Sequence, residues 1–227
     1  MFELEFSSVV KSALKDVVNV IGPRPKTFDL ISPIVLGTLA QIPGDYVEIG
    51  TWFGCSALVV ALVKKRAGID GSVTCIDPFT GPSPIFYQAY QYAQPSKEQV
   101  LANAEKLDVE LSIIDKPSNP WPKELEGRAW TMGYIDGDHR YPHPQMDFED
   151  LSHRVTKFLV FDDFSPNHRA VEMVISNALR SDPAWSLSLV YRNCAVLERP
   201  TLSQKVITYN IMEWIDPEFD WSNYVKS

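Results

Sequence analysis

Cysteine is scarce in this chain, and a basic charge excess, long apolar runs and internal repeats are missing. The 227 residues carry three cysteines, Cys55, Cys75 and Cys194. An odd number of thiols lying in apolar segments excludes a disulfide frame and reads as reduced, buried cysteine in a cytoplasmic protein. The formal net charge is -8 and no run of lysine or arginine interrupts that balance. Nonspecific binding to nucleic acid or to an anionic membrane is therefore not expected. No apolar stretch is long enough to span a bilayer. Met1-Phe-Glu-Leu-Glu5 has neither the basic start nor the apolar core of a signal peptide. His143, His153 and His168 lack cysteine or histidine partners at zinc-ligand spacing, which argues against zinc.

What is present is a strand, turn and helix with a carboxylate placed after it. Tyr46 to Ile49 is a short apolar run that enters Gly50-Thr-Trp-Phe-Gly-Cys-Ser56, and an apolar helical segment follows to Lys65. A second run, Ser72 to Ile76, then ends in Asp77. This is the plan of a Rossmann-like βαβ unit that grips a nucleoside: glycines allow close backbone approach, and the acid at the next strand tip takes the ribose hydroxyls. With 45% hydrophobic residues, the length suits one α/β domain over residues 1–227. Residues 1–33 form a helical extension and 201–227 a tail.

Periodicity fills in the rest. Phe6, Val9, Val10, Leu14, Val17 and Val18 recur at helical spacing before Gly22-Pro-Arg-Pro25, and Ser32 to Ala40 forms another helix. Further helices are expected over 97–107, 145–152 and 170–179, with strands over 111–114, 129–135 and 158–161. Runs 186–192 and 195–198 around Arg192-Asn-Cys194 read as a terminal antiparallel hairpin. The fold expected is thus a Rossmann-like, doubly wound, mostly parallel sheet closed by that hairpin. The segment Phe79 to Pro95, rich in proline and aromatics, leaves the carboxyl end of a strand. It is either a locally packed surface loop or a lid and acceptor wall. The tail, with Trp214 and Trp221, packs on the body, caps a site or meets another subunit, which leaves a homo-oligomer open.

Two strand tips end in paired acids, Asp136 with Asp138 and Asp162 with Asp163. In a parallel sheet these tips share one edge with Asp77. Carboxylates gathered there repel one another and raise their pKa values unless a cation neutralises them. A hard divalent ion such as Mg²⁺ is the natural partner for oxygen donors. Taken singly, any one of these acids could instead cap a helix.

Glu48-Ile-Gly-Thr-Trp-Phe-Gly-Cys-Ser56, Asp77-Pro-Phe79, Ile135-Asp-Gly-Asp-His139 and Phe161-Asp-Asp-Phe164 together resemble class I S-adenosylmethionine-dependent methyltransferases. The likeness runs from about residue 34 to residue 198 and is nearest to the metal-dependent, macrocin-type small-molecule O-methyltransferases. It implies that Glu48, Gly50, Thr51, Gly54 and Ser56 wrap the methionine and ribose of the cofactor. Asp77 then receives the ribose hydroxyls, Pro78 and Phe79 lie near the adenine, and Ser118 borders it. Asp136 touches both the cofactor and the metal, which it holds with Asp162 and Asp163. Members of that branch use as base either the second acid of the Asp-Gly-Asp unit or a histidine after it. Asp138 and His139 therefore compete, and His139 is favoured because neutral imidazole accepts a proton near physiological pH. The acceptor implied is a small hydroxylated molecule such as a sugar, diol or catechol. Relatives carry a Gly-Gly turn before the strand that leads to the Asp-Asp pair, where this chain has Arg154-Val-Thr-Lys157.

Two rivals remain at this stage. A nicotinamide oxidoreductase would use the same βαβ unit, but the turn lacks the Gly-x-Gly-x-x-Gly that a pyrophosphate requires. A non-catalytic protein could retain the nucleoside site alone. Trp52 either stacks on a ligand or packs in the core, and Tyr141 either orients the acceptor or caps a helix. Trp121 and Trp130 read as packing residues, and His168, close after Asp162-Asp163, either touches substrate or, the reading favoured, is a solvated loop histidine.

Overall fold

The computed structural model describes residues 7–22, 30–80 and 94–199. The Gly22-Pro-Arg-Pro25 break after its first residue, most of the 79–95 segment and the tail with Trp214 and Trp221 lie outside them. Two helices come first, α1 (Ser8–Ile21) and α2 (Ile31–Leu39). Then follow β1 (Tyr46–Ile49), α3 (Cys55–Ala67), β2 (Val73–Ile76), α4 (Lys97–Lys106) and β3 (Ser112–Ile114). A single 3-10 turn (Lys123–Leu125) precedes β4 (Trp130–Ile135), α5 (His143–Ser152), β5 (Val155–Phe161) and α6 (Arg169–Ser181). The strands β6 (Ser186–Tyr191) and β7 (Cys194–Glu198) close the described fold.

The seven strands form one sheet in the order β3-β2-β1-β4-β5-β7-β6. The first five pair in parallel, and β7 runs antiparallel to both β5 and β6. The mostly parallel sheet with a closing hairpin is thus the architecture expected. The turn of that hairpin holds only Arg192 and Asn193, because Cys194 already pairs with Tyr191.

Alternation along the strands separates two apolar layers. Tyr46, Cys75, Met132, Tyr134 and Val160 pack with Val10, Ala13 and Val17 of α1, Leu36 of α2 and Leu58 to Val63 of α3. Val47, Ile49, Ile135, Leu159 and Phe161 pack on the opposite face with Leu151 of α5 and Val171, Val174 and Ile175 of α6. Helix α3 is buried from Cys55 through Lys64, since sheet, α1 and α2 enclose it, so its sequence is apolar almost all round. It ends in a left-handed Gly68, with the Ile69 amide returning to the Lys64 carbonyl at 2.9 Å.

One expectation is corrected here. Val155-Thr-Lys157 opens β5 and does not belong to a loop. The chain leaves α5 through His153, still in right-handed conformation, so the strand is reached without a glycine turn. Among the described residues, no helix is long and apolar enough to cross a membrane.

Candidate active site

The site lies at the carboxyl ends of β1, β2, β4 and β5, where Ile49, Ile76, Ile135 and Phe161 are the last strand residues. The turn after β1 owes its two glycines to the protein's own packing. A Cβ on Gly50, which has φ 87°, would sit 2.0 Å from the Asp136 carbonyl oxygen. One on Gly54, φ 80°, would meet Val100 of α4 at 2.7 Å. The first glycine lets the β1 and β4 tips touch, and the second lets α3 dock against α4.

Asp77 fastens this turn. Its Oδ2 accepts the Thr51 and Trp52 amides at 2.7 and 2.8 Å, and its Oδ1 accepts the Phe79 amide at 2.6 Å. The carboxylate thus ties the turn after β1 to the tip of β2. A carboxylate offers about four acceptor sites; with three taken by these amides, one remains, on Oδ1.

Glu48 and Ser56, expected to wrap the cofactor, lie behind the turn. Glu48 is 0% exposed; its Oε2 accepts the Tyr46 hydroxyl at 2.8 Å and the Ser56 hydroxyl at 2.7 Å. Its Oε1 and the Thr51 Oγ1 are buried without a hydrogen-bond partner. Burial pushes the Glu48 carboxyl up to about 7 despite the Ser56 and Tyr46 hydrogen bonds. Trp52 and Phe53 are partly exposed, with ring centroids 4.9 Å apart. Pro78 is partly exposed beside the buried Phe79. Ser118 gives its hydroxyl to Asp147 Oδ1 at 2.6 Å.

On the β4 and β5 side, three of the four acids come together. Asp136 and Asp162 follow strands paired through Ile135 and Phe161, and Asp163 adopts φ 54°. Asp136 Oδ2 accepts the Tyr134 hydroxyl at 3.1 Å. Asp162 Oδ1 accepts the Ser32 hydroxyl at 2.7 Å, and Asn193 Nδ2 lies 3.4 Å from both Asp162 Oδ1 and Asp163 Oδ1. Burial, followed by the Asp162 charge, pushes the Asp136 carboxyl well above the usual carboxylate range. Its side chain still exposes 31% of its surface, so water or a cation can relieve that strain. Burial, with Asp163 adding to it, pushes Asp162 up to about 6 against the Ser32 hydrogen bond. The repulsion expected from the sequence is present. Among the described residues, no group of three or more His, Cys, Asp or Glu side chains is placed so that it could hold a metal ion as it stands.

The two base candidates part company. Asp138 turns to Arg140, whose Nε lies 2.8 and 3.1 Å from the two carboxylate oxygens and whose Nη2 lies 2.5 Å from Oδ2. That guanidinium holds the Asp138 carboxyl down to about 2. His139 turns inward, its Nε2 3.4 Å from Asp163 Oδ2 and 3.6 Å from Asp136 Oδ1. Burial lowers its pKa, opposed by the Asp163 charge, and that favours the neutral imidazole a base must be.

Of three further neighbours of the acids, only His168 is marked by a local pattern. His168 is not a free loop residue: its Nδ1 lies 3.4 Å from Asp163 Oδ2, and its ring centroid is 5.3 Å from that of His139. The only local hint was its place at the start of α6, five residues past Asp163. Ser32 and Asn193 reach the acids from distant parts of the chain, and no local pattern marks them.

A family model described as a methyltransferase domain matches residues 47–179. No curated protein matches the sequence. Among solved structures, the O-methyltransferase NovP is 16% identical, with a TM-score of 0.59 over 85% of this chain and 78% of its own. An O-methyltransferase from Bacillus cereus in complex with SAH (S-adenosylhomocysteine) is 15% identical, with a TM-score of 0.59 over 84% of this chain and 91% of its own. The SAH-bound methyltransferase PaMTH1 of Podospora anserina is 14% identical, with a TM-score of 0.56 over 86% and 88%. These three share the fold. The family match spans more than half of the chain and contains the β1 turn, Asp77 and the acids after β4 and β5, so the chain belongs to the methyltransferase-domain family and is a class I S-adenosylmethionine-dependent methyltransferase.

Proposed function

We propose that the enzyme transfers the methyl group of S-adenosylmethionine to a hydroxyl oxygen of a small sugar, diol or catechol-like molecule, with His139 as base and a divalent cation at the carboxylates. The observation that carries this reading is the placement of His139 Nε2 between Asp163 Oδ2 and Asp136 Oδ1, at the strand tips beside the cofactor turn.

The methyl donor is a sulfonium cation, and an alcohol attacks it poorly until its proton is withdrawn. His139 accepts that proton, a step worth about 10²–10⁴ in rate. The charge of Asp163 stabilises the imidazolium that results. The turn 50–56, pinned by Asp77, sets where the donor sits, so the hydroxyl can approach in line with methyl and sulfur. Asp77 and Ser118 serve the nucleoside; Glu48 and Ser56 hold the turn's shape from behind.

The donor types suit a hard cation: all are carboxylate oxygens with no thiol among them, and burial together with neighbouring carboxylates pushes Asp136 and Asp162 up. Asp136, Asp162 and Asp163 would hold it, and it would lower the pKa of the acceptor hydroxyl and orient it. Vicinal diols and catechols suit such a centre because two oxygens can bind together. The direct test is methyl transfer from labelled S-adenosylmethionine to a panel of catechols and sugars, with Mg²⁺ and with chelator. Transfer to oxygen that chelator abolishes is expected; transfer to nitrogen or carbon alone, or turnover indifferent to chelator, contradicts the proposal.

A further inference from the structure

One buried carboxylate takes no part in the chemistry above. Asp147 lies on the second turn of α5 and is only 2% exposed, yet neither lysine nor arginine pairs with it among the ion pairs of the described residues. Its Oδ1 accepts the Ser118 hydroxyl at 2.6 Å and the Asn119 side-chain amide at 3.2 Å. The first distance is that of a hydroxyl bound to a charged acceptor. Its Oδ2 faces the other way, against Gly137, where a Cβ would come within 3.2 Å of it. One side chain of α5 thus holds the segment after β3 by hydrogen bonds and stands beside the segment after β4, too close for any side chain at Gly137 to enter without a shift.

Sheet order gives this bridge its meaning. The strands run β3-β2-β1-β4, so the segments leaving β3 and β4 stand on either side of the β2 and β1 tips. Those tips carry Asp77 and the glycine turn. The nucleoside of S-adenosylmethionine must therefore fit between walls that Asp147 holds together.

We propose that Asp147 is a positioning residue that fixes the width of the nucleoside cleft by holding Ser118 and Asn119 to α5, beside the Asp136-Gly-Asp138 segment. The inference rests on the methyltransferase assignment and needs neither the cation nor the identity of the acceptor. The side chain is built as an acceptor on one edge and a close-packed surface on the other. Asparagine can replace the first function through its carbonyl oxygen, and alanine can replace neither.

Calorimetric titration with S-adenosylhomocysteine and with 5′-methylthioadenosine, which keeps the nucleoside and lacks the amino acid, tests this. Asp147→Ala should weaken both ligands by about tenfold or more, and by the same factor, because the lost contact serves the part they share. Asp147→Asn should stay within about threefold of the unaltered enzyme. Asn119→Ala removes one of these hydrogen bonds at a partly exposed residue to which no ligand contact is assigned, and decides the matter if Asp147→Ala does not fold. It should weaken both ligands by an equal factor, smaller than that of Asp147→Ala. Unchanged affinity in a folded variant overturns the inference, as does a loss seen for S-adenosylhomocysteine and absent for 5′-methylthioadenosine. If the unaltered chain binds neither ligand, the methyltransferase assignment falls and this inference with it.

Discussion

The two halves of the strand-tip edge differ in how their charges are settled. At β1 and β2, Asp77 receives three backbone amides, and the turn they belong to is complete without any ligand. At β4 and β5, Asp136 and Asp162 are held next to one another and next to Asp163, and burial makes the repulsion worse. The donors that answer it are hydroxyls and an amide, from Tyr134, Ser32 and Asn193. None of those is a full positive charge. The first half is settled by its own backbone amides; the second stores electrostatic free energy that a proton, an imidazolium or a metal ion releases.

Breaking the second half should hurt turnover most. His139→Ala should lower the rate of methyl transfer by about 10²–10⁴ while leaving the affinity for S-adenosylhomocysteine within a few-fold, measured with whichever acceptor the unaltered enzyme methylates. Asp138→Asn sharpens the contrast: its carboxylate is spent on Arg140, so the rate should change by no more than about threefold. A larger loss for Asp138→Asn than for His139→Ala would reverse their roles.

Breaking the first half should show in binding. Asp77→Ala removes an acceptor from three amides; with roughly 1.5–3 kcal/mol for a hydrogen bond to a charged group, a loss of about 100-fold in S-adenosylhomocysteine affinity by calorimetry is expected. Retention of full affinity would show that the turn holds its shape without this tie.

The smallest effect concerns stability and pH. Glu48 titrates at about 7 in the fold against an ordinary 4.5. Below pH 4.5 it is protonated both folded and unfolded, so burial carries no charge penalty. Between 4.5 and 7 the unfolded chain releases the proton and the fold retains it, so stability falls as pH rises. At roughly 1.4 kcal/mol per pKa unit, the loss approaches about 3 kcal/mol above pH 7. Glu48→Gln keeps an acceptor for Tyr46 and Ser56 and offers a donor to the unpaired Thr51 Oγ1. Its Tm should exceed that of the unaltered protein by a few degrees at pH 8, and the gap should close near pH 4.5. A gap that widens on acidification would contradict the sign of this shift.

Much of this arrangement can be read in the residues, and the exceptions have physical causes. Strand tips, glycine turn and acids follow from local patterns: short apolar runs ending in Gly50, Asp77, Asp136 and Asp162. The start of β5 was hidden because Val155-Thr-Lys157 resembles a polar connector, yet pairing with β4 draws it into the sheet. Ser32, Asn193 and the partner of Ser118 depend on contacts between segments 29 to 130 residues apart, and no sequence window reports those. The glycines of the turn also serve packing that no local pattern shows, against Asp136 and Val100.

The charge imbalance between the two halves can be measured directly by titrating the enzyme, saturated with S-adenosylhomocysteine, with Mn²⁺ and following the free ion by electron paramagnetic resonance. A single tight ion per chain is expected, lost in Asp162→Asn with Asp163→Asn and retained in Asp138→Asn. Absence of tight binding to the unaltered enzyme, or binding that survives the double substitution, would contradict a cation at these strand tips.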